Sequence, residues 1–117
     1  MVRKKEDKNR PVYMISVVSR ILEVHPQTLR MYEREGFVCP KRINQQRLYS
    51  DEDIERLNLV IKLTKELGVN KAGVDIILRM RNRMEAMQNE IKEMMRFMEE
   101  DIRSSFEERL RRIFSEE

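Results

Sequence analysis

Cysteine and histidine each occur once in the 117 residues, as Cys39 and His25. A single cysteine excludes a disulfide within the chain, and a Cys/His metal site needs about four ligands. Cys39 therefore reads as a plain thiol of a reducing compartment. Tryptophan is absent and glycine is scarce, so no glycine-rich phosphate loop is present. Catalysis needs converging acid, base or nucleophile groups in a pocket, and one His with one Cys offers too few. An enzyme is not expected, nor any cofactor. No apolar run approaches the roughly 20 residues that span a bilayer. The basic start, Met1-Val2-Arg3-Lys4-Lys5-Glu6, is followed by no apolar segment and is not a secretory leader. A soluble, cytoplasmic protein with no membrane contact is expected.

What is present is charge, at 38% of residues. Lys and Arg exceed Asp and Glu in residues 1–70 but not in 71–117, so the N-terminal half suits an anionic partner. Residues 1–11 read as a disordered basic arm closed by Pro11. Its Arg3, Lys4, Lys5, Lys8 and Arg10 either touch phosphates or form a solvated tail.

The spacing then predicts two short helices. The first begins near Ser16, whose hydroxyl can cap it, and carries a stripe of Val17, Val18, Ile21 and Leu22. Val24-His25-Pro26 ends it, since a residue before proline avoids the α region. Pro26 suits the first position of a second helix, which runs through Glu35 and stops at Gly36. The pair is a helix-turn-helix candidate. Residues 37–49 hold two short β-capable segments around the polar tip Asn44-Gln45-Gln46, read as a wing of unassigned turn type. Ser50 with Asp53 predicts a capping box for a helix that ends at Gly68, and Asn70 can cap the next.

The last segment is the most periodic. Ile77, Met80, Met84, Met87, Ile91, Met94 and Met98 alternate in steps of three and four, an a/d heptad seam. Beyond Met98 the steps become four through Ile102, Phe106 and Leu110, a stutter in the heptad. The expected element is one helix from Val74 to Phe114, about 60 Å long at roughly 1.5 Å per residue. With little of its own chain to pack on, it implies a dimeric coiled coil. Methionine is adaptable in such seams; a soft-metal site is conceivable, but the regular spacing favours packing.

On the second helix, Gln27, Arg30, Met31 and Arg34 share one face, while Leu29 and Tyr32 lie on another that can pack on the first helix. Arg can donate twice to guanine and Gln can pair with adenine, so this face suits a major groove. His25 and Thr28 stand at the helix start, where recognition helices meet base edges. For His25, a DNA contact and a tolerated surface position both remain open. Arg20, Lys41, Arg42 and Arg47 suit phosphate contacts that fix register.

Three stretches carry a resemblance. Ile15-Ser16-Val17-Val18, then His25 through Gly36 with the phrase Thr28-Leu29-Arg30-Met31-Tyr32-Glu33-Arg34-Glu35-Gly36, then Arg47-Leu48-Tyr49-Ser50-Asp51-Glu52-Asp53-Ile54, resemble the MerR family over about residues 12–80. His25 to Arg30 is similar to the heat-shock repressor (HspR) branch. Val69-Asn70-Lys71-Ala72-Gly73-Val74 is similar to that branch and to the nitrogen regulators GlnR and TnrA. The resemblance implies a homodimer held by an antiparallel coiled coil on an inverted-repeat operator. For the heat-shock branch it implies repression of chaperone genes with the chaperone DnaK as co-repressor. Met31 stands where family members often carry an aromatic, and the wing lacks the Gly-rich tip common in the heat-shock branch. No cysteine follows residue 39, so metal sensing is not expected, and no effector domain after the long helix is expected either.

The resulting expectation is a mainly α chain: a basic arm (1–11), a winged helix-turn-helix DNA-binding domain (12–70) and a coiled-coil dimerisation helix (71–117). The DNA-binding candidates are Ser16, Arg20, His25, Gln27, Thr28, Arg30, Tyr32, Arg34, Lys41, Arg42, Asn44, Arg47 and Tyr49. The dimerisation candidates run from Ile77 along the seam to Met98, with Ile102 and Phe106. A GlnR/TnrA-like regulator controlled by a partner protein, and a coiled-coil protein-interaction module, are the competing readings.

Overall fold

The computed structural model describes residues 5–115, with side chains from Asp7 onward. Its elements are α1 (Lys5–Lys8), β1 (Tyr13–Met14), α2 (Ile15–Leu22), α3 (Pro26–Arg34), β2 (Lys41–Ile43), β3 (Gln46–Tyr49), α4 (Asp51–Ile61), a π-helical turn (Lys62–Glu66), α5 (Lys71–Met95) and α6 (Glu100–Ile113). They form two compact units that divide between Leu78 and Arg79. Residues 1–4 of the expected arm lie outside the described residues. Of the rest, α1 is one helical turn, and Lys8 Nζ reaches Glu55 at 3.3 Å.

In the N-terminal unit, α2 starts one residue earlier than the sequence implied. Met14, in extended conformation, is its N-cap and makes no side-chain cap, so Ser16 lies in the first turn instead. The reason is a strand absent from the sequence reading. Tyr13 and Met14 pair with Tyr49 and Leu48, which places a strand residue directly at the helix start. At the far end Glu23 adopts a left-handed conformation with φ 55°. Such a residue costs roughly 1–2 kcal/mol; a backbone bond from Val24 N–H to Ser19 O and a side-chain bond from Ser19 Oγ to Val24 O offset it.

Pro26 opens α3 as its composition predicts. Gly36, at φ +82°, lets the chain reverse so that its N–H and that of Phe37 meet the carbonyls of Glu33 and Tyr32. The wing is a hairpin with register Ile43↔Gln46, Arg42↔Arg47 and Lys41↔Leu48. Its two-residue turn is Asn44-Gln45, with φ 52° and 67°, the signs of a type I′ turn without the usual glycine. With β1 on the other edge, the sheet order is β1-β3-β2.

Ser50 and Asp53 form the expected capping box, each side chain bonding the other's backbone N–H at 3.0 Å. The helix they start does not run unbroken to Gly68. Its last turn widens to a π turn, with Leu67 N–H reaching back to Lys62 O while Thr64 Oγ1 donates to Val60 O at 2.8 Å. Asn70 Oδ1 caps α5 through Gly73 N–H at 2.9 Å. A Cβ on Gly73 would stand 2.6 Å from Val69 Cγ1, so a larger residue here would have to displace the Val69 side chain.

The core gathers Val18, Leu29, Tyr32, Phe37, Tyr49, Leu57, Val60 and Leu63. Val74 and Leu78 join it, so the first two turns of α5 complete the N-terminal unit and the core extends past the expected boundary at residue 70.

The C-terminal unit departs from the expected single helix. The chain leaves helical geometry after Met95 and resumes it at Glu100, so Val74 to Phe114 is not one rod. The break falls at the stutter. Glu100 and Asp101 fill the first turn of α6, where acids meet the positive end of a helix dipole. Met80, Met84, Met87 and Met94 of the seam are exposed, as are Ile102 and Phe106, which stand on a separate helix and not on a collinear seam. Met95, outside the seam, is the buried residue here. It lines a groove of about 870 Å³ with Lys92 of α5 and Arg103, Leu110 and Phe114 on and just beyond α6.

Candidate nucleic-acid interface

The two faces of α3 separate as its periodicity demands. Leu29 and Tyr32 turn into the core, while Gln27, Met31 and Arg34 are exposed and Arg30 is half-buried between them. The outer face therefore presents Gln27, Arg34 and part of Arg30, with the apolar Met31 among them, and recognition helices meet base edges through such residues. Thr28 is half-buried at its start.

His25 resolves into a working cap. Its Nδ1 accepts from Gln27 N–H at 3.0 Å. The accepting nitrogen carries no proton, so the neutral ring bears its N–H on Nε2. That donor belongs to an exposed side chain at the N-terminal end of α3. Capping and an outward hydrogen bond are thus compatible in one imidazole.

Ser16 and Arg20 are exposed on α2, and Lys41, Arg42 and Asn44 are exposed on the wing. Two candidates do not reach the surface. Tyr32 is 2% exposed, its ring packs against Phe37 with centroids 6.0 Å apart, and its hydroxyl lies 3.3 Å from Thr64 Oγ1. Tyr49 is 0% exposed. Both are core residues beneath the interface and have no surface to offer DNA.

The Tyr49 hydroxyl has no hydrogen-bond partner among the described residues. Burial pushes its pKa up, and the Glu33 carboxylate adds to the shift while Arg47 opposes it. The group is therefore a protonated donor left without an acceptor, a state that costs roughly 1–3 kcal/mol.

Glu33 is the residue the sequence reading missed. Its Oε1 takes Arg47 Nε at 2.5 Å and its Oε2 faces Arg42 Nη2 at 3.6 Å. A wing arginine read as a phosphate contact, Arg47, is thus committed to the recognition helix. The available signal was an acid one position beyond the core-facing Tyr32, on a helix otherwise lined with cations, ahead of a wing rich in arginine. A second long-range bond, from Arg56 Nε to Phe37 O at 2.6 Å, ties α4 to the segment that leaves α3.

No helix among the described residues is long and apolar enough to cross a membrane. None of their His, Cys, Asp and Glu side chains gather into a group able to hold a metal ion.

Residues 13–81 match the MerR HTH family of regulatory proteins. The chain is 43% identical over 79 residues to a Streptomyces coelicolor protein described as a putative heat shock protein HspR, covering 67% of this chain and 52% of that one. It is 31% identical over 86 residues to the HTH-type transcriptional regulator GlnR of Bacillus anthracis, and equally to that of Bacillus cereus, covering 72% of this chain and 66% of theirs. The chain therefore spans about half the length of the HspR relative and just under two thirds of the GlnR relatives. An open basic helix face, a wing beside it and a match over more than half the chain agree: the chain belongs to the MerR HTH family of DNA-binding transcription regulators.

Proposed function

We propose that the chain is a dimeric repressor of heat-shock genes that acts by occupying an inverted-repeat operator in the cytoplasm. The observation that carries the DNA role is the exposed face of α3, with Gln27, Arg30 and Arg34 beside a capping His25. Those four, with Thr28, read base edges. Ser16, Arg20, Lys41, Arg42 and Asn44 fix register on phosphates, and Arg47 supports the wing. The heat-shock assignment rests on the similarity to the protein described as HspR. The resemblance of His25 to Arg30 to the heat-shock branch adds the chaperone DnaK as co-repressor to this proposal.

The dimer rests on the seam. Met80, Met84, Met87 and Met94 form an exposed apolar stripe at heptad spacing on α5, which a second copy running antiparallel would cover. Ile77 starts the stripe and is partly buried against the N-terminal core. Ile91 and Met98 are half-buried.

Selection of bound duplexes from a random pool tests the reading. A two-fold symmetric motif with half-sites about one helical turn apart, or a multiple, is expected. Replacing Arg30 by Ala should then cost roughly 1–3 kcal/mol of binding to that motif. No enrichment, or enrichment of an asymmetric motif, overturns the operator model. It would favour a coiled-coil interaction module, whose binding lacks the salt dependence that phosphate contacts impose.

The similarity to GlnR supports a second reading, a nitrogen regulator controlled through a partner enzyme. A pull-down comparing DnaK with glutamine synthetase separates the two.

A further inference from the structure

The wing has little to hold it in place. All three residues of β2 are exposed, and so are Asn44, Gln45 and Gln46 at the tip. Apolar anchoring comes only at its base, where Leu48 is half-buried and Tyr49 buried. A hairpin fixed at one end swings at the other unless something ties it. Here the tie is one carboxylate. Arg42 and Arg47 are direct cross-strand partners, so their side chains leave the same face of the hairpin, where two like charges repel. Glu33 meets both, one oxygen to each.

The two pairs differ. Arg47 sits close, and both it and Glu33 are about three-quarters buried, at 23% and 26% side-chain exposure. Arg42 is looser and more open, at 51%. Arg47 is thus the fixed half of the tie, and Arg42 the half that can exchange Glu33 for a phosphate.

The geometry points to Glu33 as the positioning residue that aims the wing along the recognition helix and so sets how well the protein tells its operator from other DNA. A negative charge on a DNA-facing helix lowers raw affinity for a polyanion, which depends on net neutralisation of phosphates. It raises selectivity when it holds the backbone contacts in one register with the base contacts. The inference rests on the DNA-binding reading above, and its own failure is distinguishable from the failure of that reading.

The test compares the native 117-residue chain with Glu33→Gln on two duplexes, one selected from the random pool by the native chain and one scrambled from it at equal length. Glu33→Gln keeps the shape of the side chain and removes the tie. Binding to the scrambled duplex should tighten several-fold, and the ratio of the two affinities should fall at least about tenfold. The slope of log affinity against log salt should steepen by about one, as Arg47, released from Glu33, becomes free to neutralise a further phosphate. Amide exchange over residues 41–49 of the free protein should quicken. Glu35→Gln removes the same charge from the same turn, but Glu35 pairs with Lys71 and not with the wing, so its ratio should stay native.

An unchanged ratio and salt slope in Glu33→Gln overturn the inference. So does an equal loss on both duplexes with a lowered melting temperature, which marks a residue that merely supports the fold. A native chain that enriches no duplex sinks the DNA-binding reading, and this one with it.

Discussion

The two units of this chain differ in how many of their apolar residues they bury. Up to Leu78 the chain builds a core in which Val18, Leu29, Tyr49, Leu57, Val60 and Val74 are fully buried, while Ile21, Leu67 and Ile76 stay exposed. From Arg79 on, Met80, Met84, Met87 and Met94 are exposed, and Phe97 is 88% exposed in the turn between α5 and α6. The chain that folds a complete domain in its first part leaves a regular apolar stripe uncovered in its second. The stability of the first unit therefore depends on its own packing. That of the second depends on what covers the stripe, which we propose is a second copy.

The largest expected effect comes from breaking the closed unit. Leu57 is fully buried on α4, so Leu57→Ala should cost about 2–5 kcal/mol, the range for such truncations in a packed core. Chemical denaturation reads that loss directly. The contrasting variant is Met80→Ala, on the uncovered stripe, which should leave the unfolding of the N-terminal unit unchanged. Equal losses in the two variants would erase the distinction between the units.

Next is the stripe itself. Met84→Glu combined with Met87→Glu places two carboxylates on a face that we propose is covered. Sedimentation should show the protomer–protomer Kd rise at least about a hundredfold, near 2.7 kcal/mol. A linked sign is available without mutation. The native melting temperature should rise with protein concentration, by mass action, and the double variant should lose that dependence. A native chain that sediments as a monomer at all concentrations would leave the stripe to a different partner.

This contrast also explains what could be read in advance. Pro26 and Gly36 bounding α3, the Ser50/Asp53 box and the Asn70 cap are local devices, each set by a few neighbouring residues, and each is present. The spacing from Ile77 to Met94 is local too and falls on α5; that a second copy covers it is our proposal. What could not be read was non-local or ambiguous. The strand β1 is two residues that exist by pairing with residues 48 and 49. The turn at Asn44-Gln45 places a glutamine in a left-handed conformation that its type does not favour. Tyr32 and Tyr49 have an apolar ring and a polar tip, so sequence alone suits them to either a core or an interface. Glu33 meets its arginines across 14 and 9 residues of chain, a distance at which no spacing rule operates. The break before α6 lay between: the stutter marked the place, but read as a change in supercoil it concealed the end of a helix.

A smaller effect concerns the cost the closed unit carries at Tyr49. Removing the unpartnered hydroxyl with Tyr49→Phe should raise stability by roughly 1 kcal/mol. The pH dependence has a definite sign. The folded pKa is raised by burial, so the folded state holds the phenolic proton more tightly than the unfolded chain. The stability is fully present below the unfolded value of about 10 and declines as pH rises above it. Denaturation of the native chain and of Tyr49→Phe between neutral and strongly alkaline pH should show that part of the decline missing from the variant. A variant less stable than native would mean that the hydroxyl has a partner when the protein is in solution.

The smallest effect on stability is expected at His25, and it separates two roles that one imidazole combines. His25→Ala removes the acceptor for Gln27 N–H, and the start of α3 should lose about 0.5 kcal/mol, the low end for a lost cap at an exposed site. His25→Asn restores an acceptor of a type that helix starts prefer, so its melting temperature should match native. Asparagine is shorter, and with its oxygen bonded to the backbone it does not reach where the outer ring nitrogen stood. If the ring also donates to DNA, as we propose, His25→Asn folds like native and still binds the selected duplex several-fold more weakly, while His25→Ala loses on both counts. Native affinity in His25→Asn would reduce the residue to its cap and return the recognition face to Gln27, Thr28, Arg30 and Arg34. The comparison of the units would then gain a finer point: even at the outer edge of the closed unit, a residue can be chosen for how it ends a turn and not for what it touches.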